Sequence, residues 1–324
     1  MKAKPVLQVQ NLRTYYKILR GYVRAVENVS FDVKQGEALG LAGESGCGKT
    51  TIALSILKIL PPGGFIAGGK ILVDGINIPA LDEYEMRMNV RWKKIAIIFQ
   101  GAMNALNPVY RISEQIVEAI TLHEPGVEVS EARERAMKLF ELVGIEPSRI
   151  DNYPHEFSGG MRQRAMIAMA LACNPKLLIA DEPGTALDVI VQAQVLKLMK
   201  ELKEKLNLSM IMITHDLSII TETCERTAIM YAGKIVELGT VKTIFKEPLH
   251  PYTQGLIGAF PELKAPRMRM VSIPGSPPDL LRPPPGCRFH PRCPYAMEIC
   301  KTKDPEFINL GKEHFVACHL VQKK

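Results

Sequence analysis

The chain has 324 residues, of which 47% are apolar or aromatic, and a formal net charge of +7. That length supports a sizeable core and about two domains, while no uninterrupted apolar run approaches the roughly 18 residues of a membrane helix, the longest, Ala165 to Cys173, being about half of that. Met1-Lys2-Ala3-Lys4-Pro5 carries charge with no apolar stretch after it, so no signal peptide is expected and the chain is placed on the cytoplasmic side.

Residues Pro5 to Lys34 alternate in the manner of strands, which predicts an antiparallel sheet at the start of the chain. Within it, Tyr15-Tyr16 could stack an adenine ring or could simply furnish amphipathic strand residues. The apolar run Glu37 to Ala42 reads as a buried strand. It leads into Gly43-Glu44-Ser45-Gly46-Cys47-Gly48-Lys49-Thr50, a match to G-x-x-x-x-G-K-[ST], whose glycines let backbone N–H groups cradle phosphate oxygens. Helical spacing follows from Thr51 to Leu60, stopped by Pro61-Pro62-Gly63-Gly64. Strand, glycine loop and helix thus stand in the order of a phosphate site, with the helix N-terminus facing the anion. Lys49 is expected to neutralise the β and γ phosphates, and Thr50 to offer its hydroxyl to Mg2+.

Two further strand-like runs, Ile71 to Val73 and Ile95 to Phe99, precede Gln100, a polar residue at a strand's carboxyl end that could orient a water or reach Mg2+. Ile112 to Val143 turns helical and reads as a helical insertion into an α/β core. In Phe157-Ser158-Gly159-Gly160-Met161-Arg162-Gln163-Arg164, Ser158 is a plausible N-cap and the glycines permit close backbone approach, a second anion-binding helix start. The strand Leu177 to Ala180 then ends in Asp181-Glu182. On an extended backbone these carboxylates would point to opposite sides, Asp181 toward Mg2+ and Glu182 toward the attacking water. Pro183 to Asp188 turns into a helix from Val189 to Leu206, and Ser209 to Thr214 reads as the last apolar strand, ending in His215. Four polar strand ends of this kind predict one crevice.

The last 79 residues, Lys246 to Lys324, differ. They hold twelve Lys and Arg against seven Asp and Glu, 13 of the 23 prolines and four of the seven cysteines, which marks a compositional boundary near Phe245.

These motifs, in this order and approximate spacing, resemble the nucleotide-binding subunit of an ABC transporter. The sequence from Phe157 to Arg164, with Gly286-Cys287-Arg288-Phe289-His290-Pro291-Arg292-Cys293-Pro294, further resembles the oligopeptide/dipeptide importer ATPases. The resemblance implies a RecA-like P-loop α/β core with an antiparallel β subdomain, a helical signature subdomain at about 101–175 and a small irregular Cys-rich C-terminal domain, divided as 1–245 and 246–324. It implies ATP contact by Tyr16 (with Tyr15 and Tyr22 as alternatives), by the loop Gly43, Glu44, Ser45, Gly46, Cys47, Gly48, Lys49 and Thr50, and by Thr51, Gln100, Asp181 and Asp188. Ser158, Gly159 and Gly160 would complete the site of a partner subunit. Glu182, His215, Gln100 and Lys49 would be catalytic, and Thr50, Gln100 and Asp181 would hold Mg2+. The implied partners are a homologous ATPase, identical or not, two membrane permeases touching Gly101 to Arg111, and indirectly an external peptide-binding protein, with the chain peripheral on the cytoplasmic face of the membrane. Departures from the family pattern are Cys47 for Ser, Met161 for Gln, Gly101-Ala102 for a more polar pair and Gly184 for Thr.

Cys287, Cys293, Cys300 and Cys318 lack the short C-x2-4-C knuckle usual for structural zinc, and a cytoplasmic setting disfavours disulfides. A [4Fe–4S] cluster, which the resemblance also implies, ranks first, zinc second and separate thiols third. A related importer of nickel or another small solute is an alternative, as is a soluble ABC ATPase acting on nucleic acid. Against the latter, the basic tail has no interleaved aromatics or nucleic-acid-binding module, and no nucleic acid partner is expected.

Overall fold

The computed structural model describes residues 5–101, 105–259 and 273–322. In chain order the strands are β1 (Pro5–Ile18), β2 (Gly21–Lys34), β3 (Ala38–Ala42), β4 (Gly64–Val73), β5 (Ile76–Asn77), β6 (Ile95–Ile98), β7 (Leu177–Asp181), β8 (Ser209–Ile213), β9 (Arg226–Tyr231), β10 (Lys234–Thr240), β11 (Ile308–Asn309) and β12 (Phe315–Val316). The helices are α1 (Lys49–Leu57), α2 (Glu83–Glu85), α3 (Ile112–His123), α4 (Val129–Leu142), α5 (Gly159–Ala170), α6 (Val189–Leu206), α7 (Leu217–Thr223), α8 (Val241–Lys246), α9 (Pro251–Gly258), α10 (Glu298–Thr302) and α11 (His319–Gln322). None of the described helices is long and apolar enough to cross a membrane.

The chain divides into two compact units. The first gathers Met1–Leu7, Val33–Glu37 and Leu72–Met212, the second Gln8–Asp32, Ala38–Ile71 and Ile213–Lys324. In the first, β6 and β7 run parallel with Ile95 opposite Leu177 and Ile98 opposite Ala180, and β8 lies on the far side of β7. Every residue of β7 and β8 is buried, as a parallel strand covered on both faces requires. The helices α3, α4 and α5 form the expected helical insertion. Their apolar residues Ile112, Ile116, Ile120, Ala132, Ala136 and Phe140 recur at helical spacing and are buried, which is the amphipathic stripe that packs one helix on the next.

In the second unit β2, β1 and β4 lie side by side in that order, confirming the antiparallel expectation for the start of the chain. Separately, β3 pairs parallel with β9, β9 antiparallel with β10, and β10 antiparallel with β12 through Glu237 opposite Val316 and Leu238 opposite Phe315. Reading Ser209 to Thr214 as the last apolar strand is therefore corrected. The strands β9 and β10 follow it, joined by a tight turn in which Ala232 and Gly233 both take positive φ, 47° and 84°, the geometry a two-residue hairpin needs.

The C-terminal residues pack into this unit, so the change in composition near Phe245 lies inside one packing unit. Glu237, fully buried in β10, accepts the backbone N–H groups of Leu249 (2.8 Å) and His250 (2.9 Å) and meets His314 Nε2 at 2.7 Å. A buried carboxylate is tolerated when its oxygens are satisfied in this way, and here its partners tie both ends of the tail to one strand. Tyr231, Tyr252 and Phe289 form the aromatic centre of the unit's core, with centroids 4.7–5.5 Å apart, and Cys287 and Cys293 pack against it. A Cys-rich C-terminal domain with a core of its own is not supported.

Candidate nucleotide site

In the second unit β3 ends at Ala42 and the chain enters the glycine loop. Gly43, Gly46 and Gly48 take φ of 148°, 78° and 104°, conformations open at low cost only to glycine. A Cβ on Gly43 would lie 2.2 Å from the Met230 carbonyl oxygen, and one on Gly48 2.3 Å from that of Ala25, whereas one on Gly46 would meet nothing within 4 Å. The outer two glycines thus let the loop press against its own protein. Lys49 opens α1, is buried, and donates from Nζ to the carbonyls of Gly43 (2.7 Å) and Glu44 (3.1 Å). The lysine is thus folded back onto its own loop. Cys47 is buried and burial pushes its thiol up, so it serves as a small neutral side chain beneath the loop. The helix stops at Leu57, where Lys58 adopts the left-handed conformation and donates to Ser55 and Leu54 carbonyls. The stop is a left-handed cap several residues before the expected prolines.

The tyrosines separate by strand alternation. Tyr15 donates its hydroxyl to the Glu27 carboxylate (3.0 Å), while Tyr16 lies toward α1 with its hydroxyl 3.2 Å from that of Thr51 and its ring where a Gly64 Cβ would intrude at 2.8 Å. Tyr16 is therefore the one beside the loop's helix. Tyr22 packs edge-on against Phe65. His215, exposed after β8, also lies in this unit.

The first unit carries the acidic group. Asp181 closes β7 and is buried, and Glu182 is half-buried. Glu182 has φ 48°, so the backbone is not extended there and the expected alternation of the two side chains does not hold. Burial, not alternation, makes them different. Gln100 Nε2 donates to the Glu182 carboxylate at 2.8 Å, and the Thr185 hydroxyl donates to the same oxygen at 3.1 Å. Gln100 and Glu182 are thus brought together as a pair, and Thr185 is a partner sequence reasoning missed.

Ser158 caps α5, its Oγ accepting the Met161 N–H at 3.3 Å, and Asp188 caps α6, accepting the Val191 N–H at 2.9 Å. Gly160 is small because α6 crosses there. A Cβ on it would lie 2.5 Å from Val191 Cγ1. Gly184 has a similar explanation, since a Cβ would lie 2.6 Å from Cγ of Gln192 on α6.

The four tail cysteines lie within one another's electrostatic reach. The Cys287 thiol, pushed up to about 12 mainly by burial, feels those of Cys300, Cys318 and Cys293. Backbone N–H groups of Phe289, Tyr295, and Leu320 with Val321 point at the sulfurs of Cys287, Cys293 and Cys318. The donor chemistry suits a thiolate-ligated group, yet among the described residues no set of three His, Cys, Asp or Glu side chains is placed to hold a metal ion. The expected iron–sulfur or zinc site is therefore not supported by this arrangement. Of the stretch Gly101 to Arg111, residues 102–104 lie outside the described residues.

Comparison with known proteins extends these observations. The ABC transporter family matches residues 26–185, and the oligopeptide/dipeptide transporter C-terminal region matches residues 236–300. The oligopeptide transport ATP-binding protein OppD of Bacillus subtilis is 47% identical over 98% of this chain and 89% of its own length. OppD of Escherichia coli is 46% identical over 94% and 90%, and the dipeptide transport ATP-binding protein DppD of Caldanaerobacter subterraneus 41% over 98% of each. A dimeric ATP-binding cassette solved in a post-hydrolysis state with ADP and Pi superposes with a TM-score of 0.64 and 28% identity, covering 72% of this chain and 98% of that one.

Proposed function

The chain belongs to the ATP-binding proteins of oligopeptide and dipeptide ABC transporters, and from that premise we propose how its residues divide the work. The chain is an ATPase whose hydrolysis drives peptide import through membrane permease subunits. The observation that carries the peptide assignment is similarity to OppD and DppD proteins over 98% of the chain, tail included. All of these relatives are named for peptides, which favours peptides over nickel or another small solute.

The loop from Gly43 to Thr50 holds the phosphates, with Lys49 neutralising the β and γ groups and the α1 N-terminus facing them. Tyr16, beside Thr51, stacks the adenine. Thr50, Gln100 and Asp181 would hold Mg2+, which would offset the charge of the phosphates. Glu182 acts as general base toward the attacking water, and the Gln100 amide and Thr185 hydroxyl on its carboxylate hold it in orientation. His215 contacts the γ phosphate. Ser158, Gly159 and Gly160, at the start of α5, bind the nucleotide of a second ATPase subunit, identical or homologous, and Asp188 lines the same boundary. The related cassette solved as a dimer supports the pairing. Exposed Val109 and Tyr110 support a permease contact in the segment after Gln100. In this reading residues 1–245 form the nucleotide-binding domain, 246–324 the C-terminal region, and the chain is peripheral on the cytoplasmic face, with an external peptide-binding protein acting through the permeases.

Cys287, Cys293, Cys300 and Cys318 would ligate a [4Fe–4S] cluster, with zinc the second choice. What speaks for it is the chemistry of four thiols carried on one proline-rich segment; among the described residues they are not gathered into a set that holds a metal. Stoichiometric iron and sulfide in anaerobically purified protein, with broad absorbance near ~400 nm, is the expected result. Protein with neither removes the cluster.

The central test is reconstitution. Co-expressed with its permeases, the chain should purify with them and show peptide-dependent ATP hydrolysis. Glu182→Gln should bind ATP with near-parental affinity yet lose hydrolysis by about 10²-fold or more, and undiminished turnover in that variant would remove Glu182 from the role of base.

A further inference from the structure

The C-terminal segment reaches into the phosphate loop through one residue, Glu44. Its carboxylate is gripped by both ends of the Arg292 guanidinium, at 2.7 and 3.0 Å. Its backbone N–H donates to the Tyr252 hydroxyl at 2.9 Å, and its carbonyl accepts from Lys49. Arg292 is buried, lies with its guanidinium carbon 5.7 Å from the centre of the Tyr231 ring, and donates Nε–H to the Pro274 carbonyl at 2.8 Å. Four residues earlier, Arg288 donates to the carbonyl of Ala232 and meets Glu27 at 3.5 Å. The Ala232–Gly233 turn it holds donates the Gly233 N–H to the carbonyl of Cys47 at 2.9 Å. Two buried arginines from the stretch between Cys287 and Cys293 thus support the loop at both ends.

A loop with three glycines at positive φ has many conformations to lose when it closes on an anion. Fixing Glu44 by its N–H, its carbonyl and its carboxylate removes most of that freedom before the nucleotide arrives, and a bidentate guanidinium–carboxylate pair is the strongest and most directional contact available for it. We propose that Arg292, with Tyr252, is a positioning residue of the nucleotide site, holding the phosphate loop in its phosphate-receiving shape so that the C-terminal region is a working part of the ATPase. This rests on reading Gly43 to Thr50 as the phosphate loop.

The test uses the full chain with MgATP. Arg292→Gln should weaken ATP binding by about tenfold or more, since a lost charge-assisted fork is of that size. Arg292→Lys should recover part of the loss, because one ammonium keeps the charge but not the fork. In the assembled transporter the effect should fall on KM, with kcat within about twofold, because Arg292 touches no reacting atom. Glu44→Gln should weaken binding comparably, and Glu44→Gln/Arg292→Gln should be no worse than the weaker single variant. Tyr252→Phe, which deletes a single oxygen, carries the same test if Arg292→Gln does not fold. ATP affinity of Arg292→Gln within twofold of the parent, or additive losses in the double variant, would overturn the clamp. Lys49→Ala separates the two ideas. If it binds ATP as the parent does, the loop reading itself fails; if it loses ATP while Arg292→Gln does not, only the clamp fails.

Discussion

At Gly48 a single missing methyl decides whether the loop can exist. With φ 104° and the Ala25 carbonyl oxygen 2.3 Å from a built Cβ, Gly48→Ala should cost ~1–3 kcal/mol of stability and abolish ATP binding, read by thermal unfolding with and without MgATP. A variant still shifted upward by ATP would show that the loop tolerates the side chain. Gly184→Ala meets a different obstacle, the Gln192 side chain. It should cost about 1–3 kcal/mol by overpacking, and Gln192→Ala should relieve most of that. A Gly184→Ala effect unchanged by Gln192→Ala would remove the steric account. The glycine loop, the Ser158 cap and the acid at Glu182 were legible in the sequence because each is a local rule of spacing or capping, whereas the Asp188 cap was not foreseen. The positive φ of Glu182 was not, since it depends on how the turn to α6 closes, and neither was Arg292, whose partner is 248 positions away.

Among the helices, α9 carries a pH-sensitive cap. His250 accepts the Tyr252 N–H on Nδ1 at 3.0 Å, and burial pushes its imidazole down to about 3. In the unfolded chain an imidazole takes up a proton near pH 6.5. The folded value is depressed, so the unfolded state binds the extra proton between about pH 6.5 and 3. The stabilisation, complete above pH 6.5, is lost as pH falls, by at most about 1.4 kcal/mol per unit. His123, lowered mainly by burial, acts with the same sign. His250→Asn keeps an acceptor suited to an N-cap and should flatten stability between pH 6 and 4 in denaturant titrations. An unchanged slope would assign the pH dependence elsewhere. The strands show where sequence patterns stop. The fully buried β7 and β8 were visible as apolar runs, but β9 begins with Arg226 and Thr227, both buried, whose partners Asp32 and the Gly40 carbonyl come from distant strands.

Across the whole molecule the tail contributes β12 to β10, His314 to Glu237 and Arg292 to Glu44. The composition change near Phe245 invites a shortened chain ending there. In the intact protein the run from β10 through β12 finishes at β11, a strand of two residues, whereas β10 has seven. Cutting at residue 245 would remove β12 from its place opposite Glu237 and Leu238, extending the unpaired row of backbone donors and acceptors along β10, a template on which another molecule can add a strand. The truncated chain should therefore self-associate with rising concentration, visible by light scattering at concentrations where the full-length protein keeps a constant mass. Monomeric behaviour would refute this. The proline-rich end thus also works as a solubility device, a blunt stop that keeps neighbouring copies from zipping together.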